Sequence, residues 1–246
     1  MIPKNVYDGM KFLQIICLAA VLSACSKQAT TINQPIVPNT PQVDTFKVNY
    51  LALGDSYTIG QSVAFAENFP NQLAKALAND TILFNEVKII ATTGWTTTNL
   101  IDAINNQNLD KKYNLVSLLI GVNNQYQNKP IEIYKTEFRA LLNKAIALAN
   151  FDTTKIFVVS IPDYGFTPFG KNNQSTISAQ LESYNQINKS ITDSLNVSYV
   201  NITPISQMSL TNPELVASDG LHPSAAMYKM WVDQMKPVVY KKILSK

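Results

Sequence analysis

Strand-like and helix-like stretches alternate strictly from residue 45 to the end of this 246-residue chain. The strands are predicted at 46–53, 81–91, 115–120, 155–161 and 197–202, and the helices at 67–79, 97–106, 131–150, 175–195 and 224–244. The third strand is apolar at every position but Ser117, which is typical of a strand that is covered on both faces. The alternation therefore predicts an α/β fold with a five-stranded parallel sheet between two layers of helices.

Composition excludes several kinds of functional site. Arg139 is the only arginine and the net charge is +3, so we expect no nucleic-acid partner, because such proteins carry several guanidinium groups. Both cysteines, Cys17 and Cys25, precede residue 45, which leaves no thiol for a disulfide or zinc site in the domain. With a single histidine, His222, we predict no metal site and no cofactor. The side chains that could then act as acid or base near neutral pH are His222, a carboxylate with a perturbed pKa, or a lysine.

Residues 1–24 have the layout of a signal peptide. Lys11 precedes the apolar run 12–22, two small residues follow, and the run is too short for a membrane-spanning helix. Met10 would give a cleaner start than Met1, and the sequence leaves both open.

Residues 22–25, which read Leu-Ser-Ala-Cys, resemble the cleavage box of bacterial lipoproteins. The resemblance implies that Cys25 is lipidated and that the exported chain is anchored in a membrane, at the outer membrane or cell surface. The alternative is an ordinary secretory signal with a chance cysteine. The rest of 25–44 contains three prolines among polar residues and is predicted to be a flexible tether before the domain at 45–246.

The first candidate for catalysis follows the first strand, where residues 54–58 read Gly-Asp-Ser-Tyr-Thr. In parallel α/β folds, ligands bind beyond the carboxyl ends of the strands. Ser56 would be exposed there as a nucleophile at the turn from strand to helix. The alternative is a turn or helix cap, since Asp and Ser both favour such positions.

The second candidate is the segment before the last helix, where residues 219–224 read Asp-Gly-Leu-His-Pro-Ser. A turn of this length can place Asp219 against one ring nitrogen of His222 and leave the other nitrogen for Ser56, as in a catalytic triad. The alternative is a surface loop in which Ser224 caps the helix.

Two further loops carry groups that could stabilise an oxyanion. Gly94 follows the second strand, and a glycine lets its backbone N–H approach a ligand closely. Asn123, in the sequence Gly-Val-Asn-Asn after the third strand, offers a side-chain amide. The alternatives are a plain loop glycine and an Asx turn.

Taken in order, Gly-Asp-Ser, Gly, Gly-x-Asn and Asp-x-x-His resemble the GDSL/SGNH hydrolase family. The resemblance implies a three-layer α/β/α sandwich of flavodoxin-like type, and cleavage of carboxylic esters by acyl transfer. It also implies that Ser56 is the nucleophile, His222 the base and Asp219 the group that orients it. The implied oxyanion hole consists of the backbone N–H groups of Ser56 and Gly94 and the side chain of Asn123.

Some residues depart from this pattern or compete with it. Asn124 stands where the family often has Asp, and Tyr57 where the family name implies Leu. We expect the Asn124 amide to bond a neighbouring loop. Two other carboxylates lie at strand ends: Asp55 is expected to fix its turn, and Asp163 to shape the site without joining the triad.

The identity of the substrate stays open. Aromatic residues in loops 95–97, 126–130 and 166–169 are predicted to line a pocket for a short acyl group on a sugar or for a lipid tail. The alternative function is a catalytically inactive surface lipoprotein that uses the same fold to bind carbohydrate or lipid.

Overall fold

A computed structural model describes residues 45–109 and 113–244 and places five parallel strands in one sheet. The strands are β1 (Phe46–Gly54), β2 (Ile82–Ala91), β3 (Leu115–Leu119), β4 (Ile156–Val159) and β5 (Ser198–Val200). Their order is β2-β1-β3-β4-β5, which is the flavodoxin-like order. The predicted five-stranded parallel sheet is confirmed. The signal peptide and tether predicted at 1–24 and 25–44, with Cys25, lie outside the described residues.

Helices cover both faces of the sheet, as the alternation predicts. The five long helices are α2 (Phe69–Leu77), α3 (Thr97–Asn105), α5 (Ile131–Leu148), α6 (Gln174–Ser194) and α8 (Ala225–Leu244). Helix α2 packs against α8, while α3 packs against α5 and α5 against α6. Right-handed crossovers explain why the helices form these two groups. The connection from β1 leads to β2 at one edge of the sheet, whereas the later connections lead towards β5 at the other edge. The three-layer α/β/α sandwich is thereby confirmed.

Three short helices were not predicted: α1 (Ser56–Ile59), α4 (Val122–Tyr126) and α7 (Thr203–Ser206). Each has four or five residues, too few to show a helical repeat in the sequence. All three begin within three residues of the end of a strand, so they open the loops at the carboxyl edge of the sheet. This edge is where the candidate catalytic residues lie.

The last two strands are shorter than the predicted 155–161 and 197–202. Beyond β4, the buried Asn185 replaces a strand partner: its side chain accepts a hydrogen bond from Ile161 N at 2.8 Å and donates to Ile161 O at 2.9 Å. Beyond β5, Ser160 Oγ accepts hydrogen bonds from Ile202 N and Thr203 N. Because side chains satisfy these backbone groups, the chain leaves the ladder early.

The core lies on both sides of β1, whose residues Leu51 and Leu53 are fully buried. On the α2–α8 face, Trp231 packs against Phe69 and Tyr228, with ring centroids 6.3 and 5.0 Å away. This aromatic cluster fixes α8, and with it the loop that carries the predicted base. Within residues 45–109 and 113–244, no helix has the length and apolar character that crossing a membrane requires.

Candidate active site

A cavity of about 290 Å³ brings the predicted blocks together at the carboxyl edge of the sheet. Four predicted site residues line it: Ser56, Gly94, Asn123 and His222. The fifth, Asp219, lies behind His222 and contacts its ring. Residues that are up to 166 positions apart in the chain are therefore neighbours in the fold, as expected when parallel strands end at one edge.

Ser56 is the first residue of α1, directly beyond β1. Asp55 caps this helix, since its Oδ1 accepts a hydrogen bond from Tyr57 N at 3.0 Å. Gly54 makes the sharp turn possible: a Cβ there would lie 2.1 Å from Thr58 Oγ1 and 2.4 Å from Leu119 O. The close approach of β1, β3 and α1 thus fixes Ser56 at the cavity, where 4% of the residue is exposed.

His222 is held by contacts on two sides. Its Nδ1 lies 2.6 Å from Asp219 Oδ2, and its ring meets the edge of Tyr57 with centroids 5.7 Å apart. Gly220, with a φ of +73°, allows the tight turn between Asp219 and His222, because this left-handed conformation favours glycine. The turn is closed by a hydrogen bond from Ala217 N to His222 O at 2.8 Å.

The Asp219 carboxylate is held in its ionised form. Partial burial acts to raise its pKa, but hydrogen bonds from Ser62, from the backbone N–H groups of His222 and Leu221, and from the His222 ring together hold the pKa well below its usual range. A carboxylate that stays charged can hold Nδ1–H of His222 and stabilise the imidazolium. This leaves Nε2 as the ring nitrogen that can accept a proton.

Two of the three predicted oxyanion donors, Gly94 and Asn123, lie on segments that a hydrogen bond joins. Gly94 has a φ of +83°, in the region that favours glycine. Asn123 lies in α4 and donates one N–H of its amide to Trp95 O at 3.0 Å, so the other N–H is available to a ligand. Gly121, before α4, has no room for a side chain, since a Cβ would lie 2.5 Å from the Tyr134 ring.

Asn124 takes the structural role that was expected of it. Its Oδ1 accepts a hydrogen bond from Thr97 N at 3.0 Å and its Nδ2 donates to Thr97 Oγ1 at 2.7 Å. A neutral amide can both accept and donate at this position, so it joins α4 to the start of α3. Asn at this position therefore joins the two loops through both atoms of its amide group.

The two rival carboxylates support loops and, within the described residues, neither bonds to His222. Asp163 is buried and accepts hydrogen bonds from Gly165 N at 2.9 Å and from Ser178 Oγ at 2.6 Å. Burial raises the pKa of Asp55 to about 7, although backbone N–H groups oppose the shift. Across residues 45–109 and 113–244, no group of three or more His, Cys, Asp and Glu side chains is placed to hold a metal ion.

Comparison with known proteins identifies the family. The GDSL-like lipase/acylhydrolase family matches residues 52–230. The chain belongs to this family. It is accordingly a carboxylic ester hydrolase. No curated protein matches its sequence.

Solved structures of lipolytic proteins and of an acetylxylan esterase share the fold. A member of the lipolytic G-D-S-L family from Veillonella parvula is 16% identical with a TM-score of 0.59, covering 78% of this chain and 97% of that one. A lipase/acylhydrolase from Enterococcus faecalis is 16% identical with a TM-score of 0.60, covering 79% and 96%. An acetylxylan esterase from Geobacillus stearothermophilus is 18% identical with a TM-score of 0.59, covering 83% and 97%. At these identities the likeness concerns the fold.

Besides Tyr57, three aromatic residues line the cavity of this GDSL-like hydrolase. Tyr126, Tyr164 and Phe169 form a triangle in which the ring centroids are 6.1 to 6.3 Å apart. Tyr126 and Phe169 are about half exposed. The loops predicted at 126–130 and 166–169 thus each contribute one lining residue, whereas none of the loop 95–97 lines the cavity.

Two residues at the site had no signal in the sequence. Tyr164 lies two residues before the predicted loop 166–169, in a segment that Asp163 caps. Ser62 follows the nucleophile by six positions and bonds to Asp219, which only the folded structure brings near.

Proposed function

We propose that this chain hydrolyses esters of short acyl groups on glycans or lipids, with Ser56 as nucleophile, while anchored to a bacterial membrane through Cys25. One observation carries the catalytic part: His222 bonds to Asp219 at 2.6 Å and shares a cavity with Ser56. These contacts support a triad in which Ser56 is the nucleophile, His222 the base and Asp219 the group that orients the base, as acyl transfer requires.

In this mechanism, His222 Nε2 accepts the hydroxyl proton as Ser56 Oγ attacks the ester carbonyl carbon. The carbonyl oxygen becomes an oxyanion, which the backbone N–H groups of Ser56 and Gly94 and the free N–H of Asn123 stabilise. The C–O bond to the alcohol then breaks, and the alcohol leaves with the proton from His222. Water, deprotonated by His222, attacks the acyl–Ser56 ester and releases the carboxylic acid.

The size and lining of the cavity support a short acyl group. Its volume of about 290 Å³ is at the lower end of the range for small-molecule pockets, about 300–1,000 Å³. The aromatic triangle of Tyr126, Tyr164 and Phe169 offers apolar ring faces, and the half-exposed Tyr126 adds a phenolic hydroxyl. An acetylated sugar matches both features, and an acetylxylan esterase shares the fold.

A series of p-nitrophenyl esters tests this proposal. We expect kcat/KM to be highest from acetyl to butyryl and to fall at least about tenfold by decanoyl, because forcing methylenes into a filled site costs roughly 1–3 kcal/mol. Phe169→Ala, which opens the mouth, should lessen that decline. A kcat/KM that rises up to decanoyl would contradict the short-acyl proposal, and no turnover of any ester would favour the inactive binding protein.

The membrane anchor is tested separately at the lipidation box. In a bacterial host, wild-type chain should incorporate radiolabelled palmitate and sediment with membranes, whereas Cys25→Ser should do neither, because lipidation needs the thiol of Cys25. Cys17→Ser is the matched control, since it removes the chain's other thiol, which lies within the apolar run and outside the cleavage box. Equal labelling of wild type and Cys25→Ser would exclude lipidation at this cysteine.

A further inference from the structure

Ser62 joins the nucleophile loop to the carboxylate that orients the histidine. Its hydroxyl donates a hydrogen bond to Asp219 Oδ2 at 2.6 Å, across 157 positions of sequence. The same oxygen lies 2.6 Å from His222 Nδ1. Ser62 is part of none of the four sequence blocks, so the motifs assign it no role.

The carboxylate of Asp219 receives hydrogen bonds from four groups of the described chain. Oδ1 accepts from Leu221 N and His222 N, each at 2.9 Å, and Oδ2 accepts from Ser62 and His222. The two backbone donors belong to the tight turn that contains Asp219 itself. Ser62 is the donor that comes from a different part of the fold, so it ties the direction of Oδ2 to the helix of the nucleophile.

The backbone of Ser62 is held in a conformation that serine rarely adopts. Its φ is +68°, in the left-handed region, where the Cβ of a non-glycine residue approaches the backbone too closely. The loop is fixed to α1 by a hydrogen bond from Gln61 N to Ser56 O at 3.0 Å, and to the residue that caps α1 by one from Val63 N to Gly60 O at 3.3 Å. Such strain is concentrated at functional sites, where surrounding contacts maintain it.

We propose that Ser62 is a positioning residue, whose hydroxyl holds Asp219 Oδ2 in line with His222 Nδ1. The proposal rests on the proposed function, because it assigns Ser62 a part in the same acyl transfer. Ser62 acts on the reaction only through Asp219 and His222. Loss of its hydroxyl should therefore lower kcat, which depends on proton transfer by His222, and leave substrate binding nearly unchanged.

Three substitutions separate this role from a structural one. Ser62→Gly removes the hydroxyl and accepts the positive φ, so we expect an unchanged or higher Tm and a roughly tenfold lower kcat. Ser62→Ala should lose the same activity with a lower Tm. Ser62→Thr keeps the hydroxyl but places a β-branched residue at positive φ, so its Tm should fall while its kcat stays close to that of wild type. KM should change by less than about twofold in all three.

These measurements use p-nitrophenyl acetate at a temperature well below the Tm of every variant. A wild-type kcat in Ser62→Gly, or a kcat that follows Tm and not the presence of the hydroxyl, would overturn the role of Ser62. The proposed function fails in a different way: wild-type chain would then be inactive, or Ser56→Ala would retain activity. Either of those results would remove the basis of both proposals.

Discussion

Ser56→Ala is expected to lower kcat/KM for p-nitrophenyl acetate by at least about 10⁴-fold while the protein stays folded. Ala has no oxygen to attack the carbonyl, so the acyl-enzyme cannot form. The remaining oxyanion donors could only assist direct attack by water, which is far slower. The turn at Ser56 is held by its backbone carbonyl, which accepts hydrogen bonds from Gly60 N and Gln61 N and is kept in the variant. We therefore expect the Tm to change by only a few degrees.

Two measurements make this result specific to the nucleophile. A fluorophosphonate probe should label wild-type chain on the peptide that contains Ser56 and should not label Ser56→Ala. Ser183→Ala is the matched control, since this serine is exposed on α6 and its hydroxyl donates to Ala179 O within its own helix. Ester turnover by folded Ser56→Ala above a few per cent of wild type would show that another residue is the nucleophile.

Asp219→Asn is expected to lower kcat by roughly 10³–10⁴-fold, for a reason that the hydrogen-bond geometry supplies. Oδ1 accepts two backbone N–H groups, so the carbonyl oxygen of Asn must take that position. The NH₂ group then replaces Oδ2 and points at His222 Nδ1. It donates to Nδ1 and places the ring proton on Nε2, which can no longer accept the proton of Ser56.

Asp233→Asn provides the matched control for this change. It also converts an aspartate to asparagine, but on the exposed side of α8, where Asp233 pairs with Lys229 at 2.7 Å. Exposed pairs of this kind contribute little, so activity and Tm should stay within error of wild type. If Asp219→Asn kept more than about a tenth of the wild-type kcat, the Asp219 carboxylate would not be the group that orients the base.

Local patterns were sufficient to predict the long elements of the fold. The strand at 115–120 and the helix at 131–150 differ from the structure by one and two residues, because the strand is mostly apolar and the helix has a repeated apolar face. The ends of β4 and β5 could not be predicted in the same way. Asn185 and Ser160 end these strands through buried side-chain hydrogen bonds, and such bonds depend on contacts between distant parts of the chain.

The sequence by itself determined which chemistry was possible: one histidine, a carboxylate three positions before it, and a serine at the end of the first strand. Only the tertiary structure decided how these groups pair. It joined Asp219 to His222 while Asp55 and Asp163 became supports of loops, and it brought Ser62 to Asp219. The physical reason is that hydrogen bonds are short-ranged and directional, so pairing between distant residues exists only after the sheet has brought its loops to one edge.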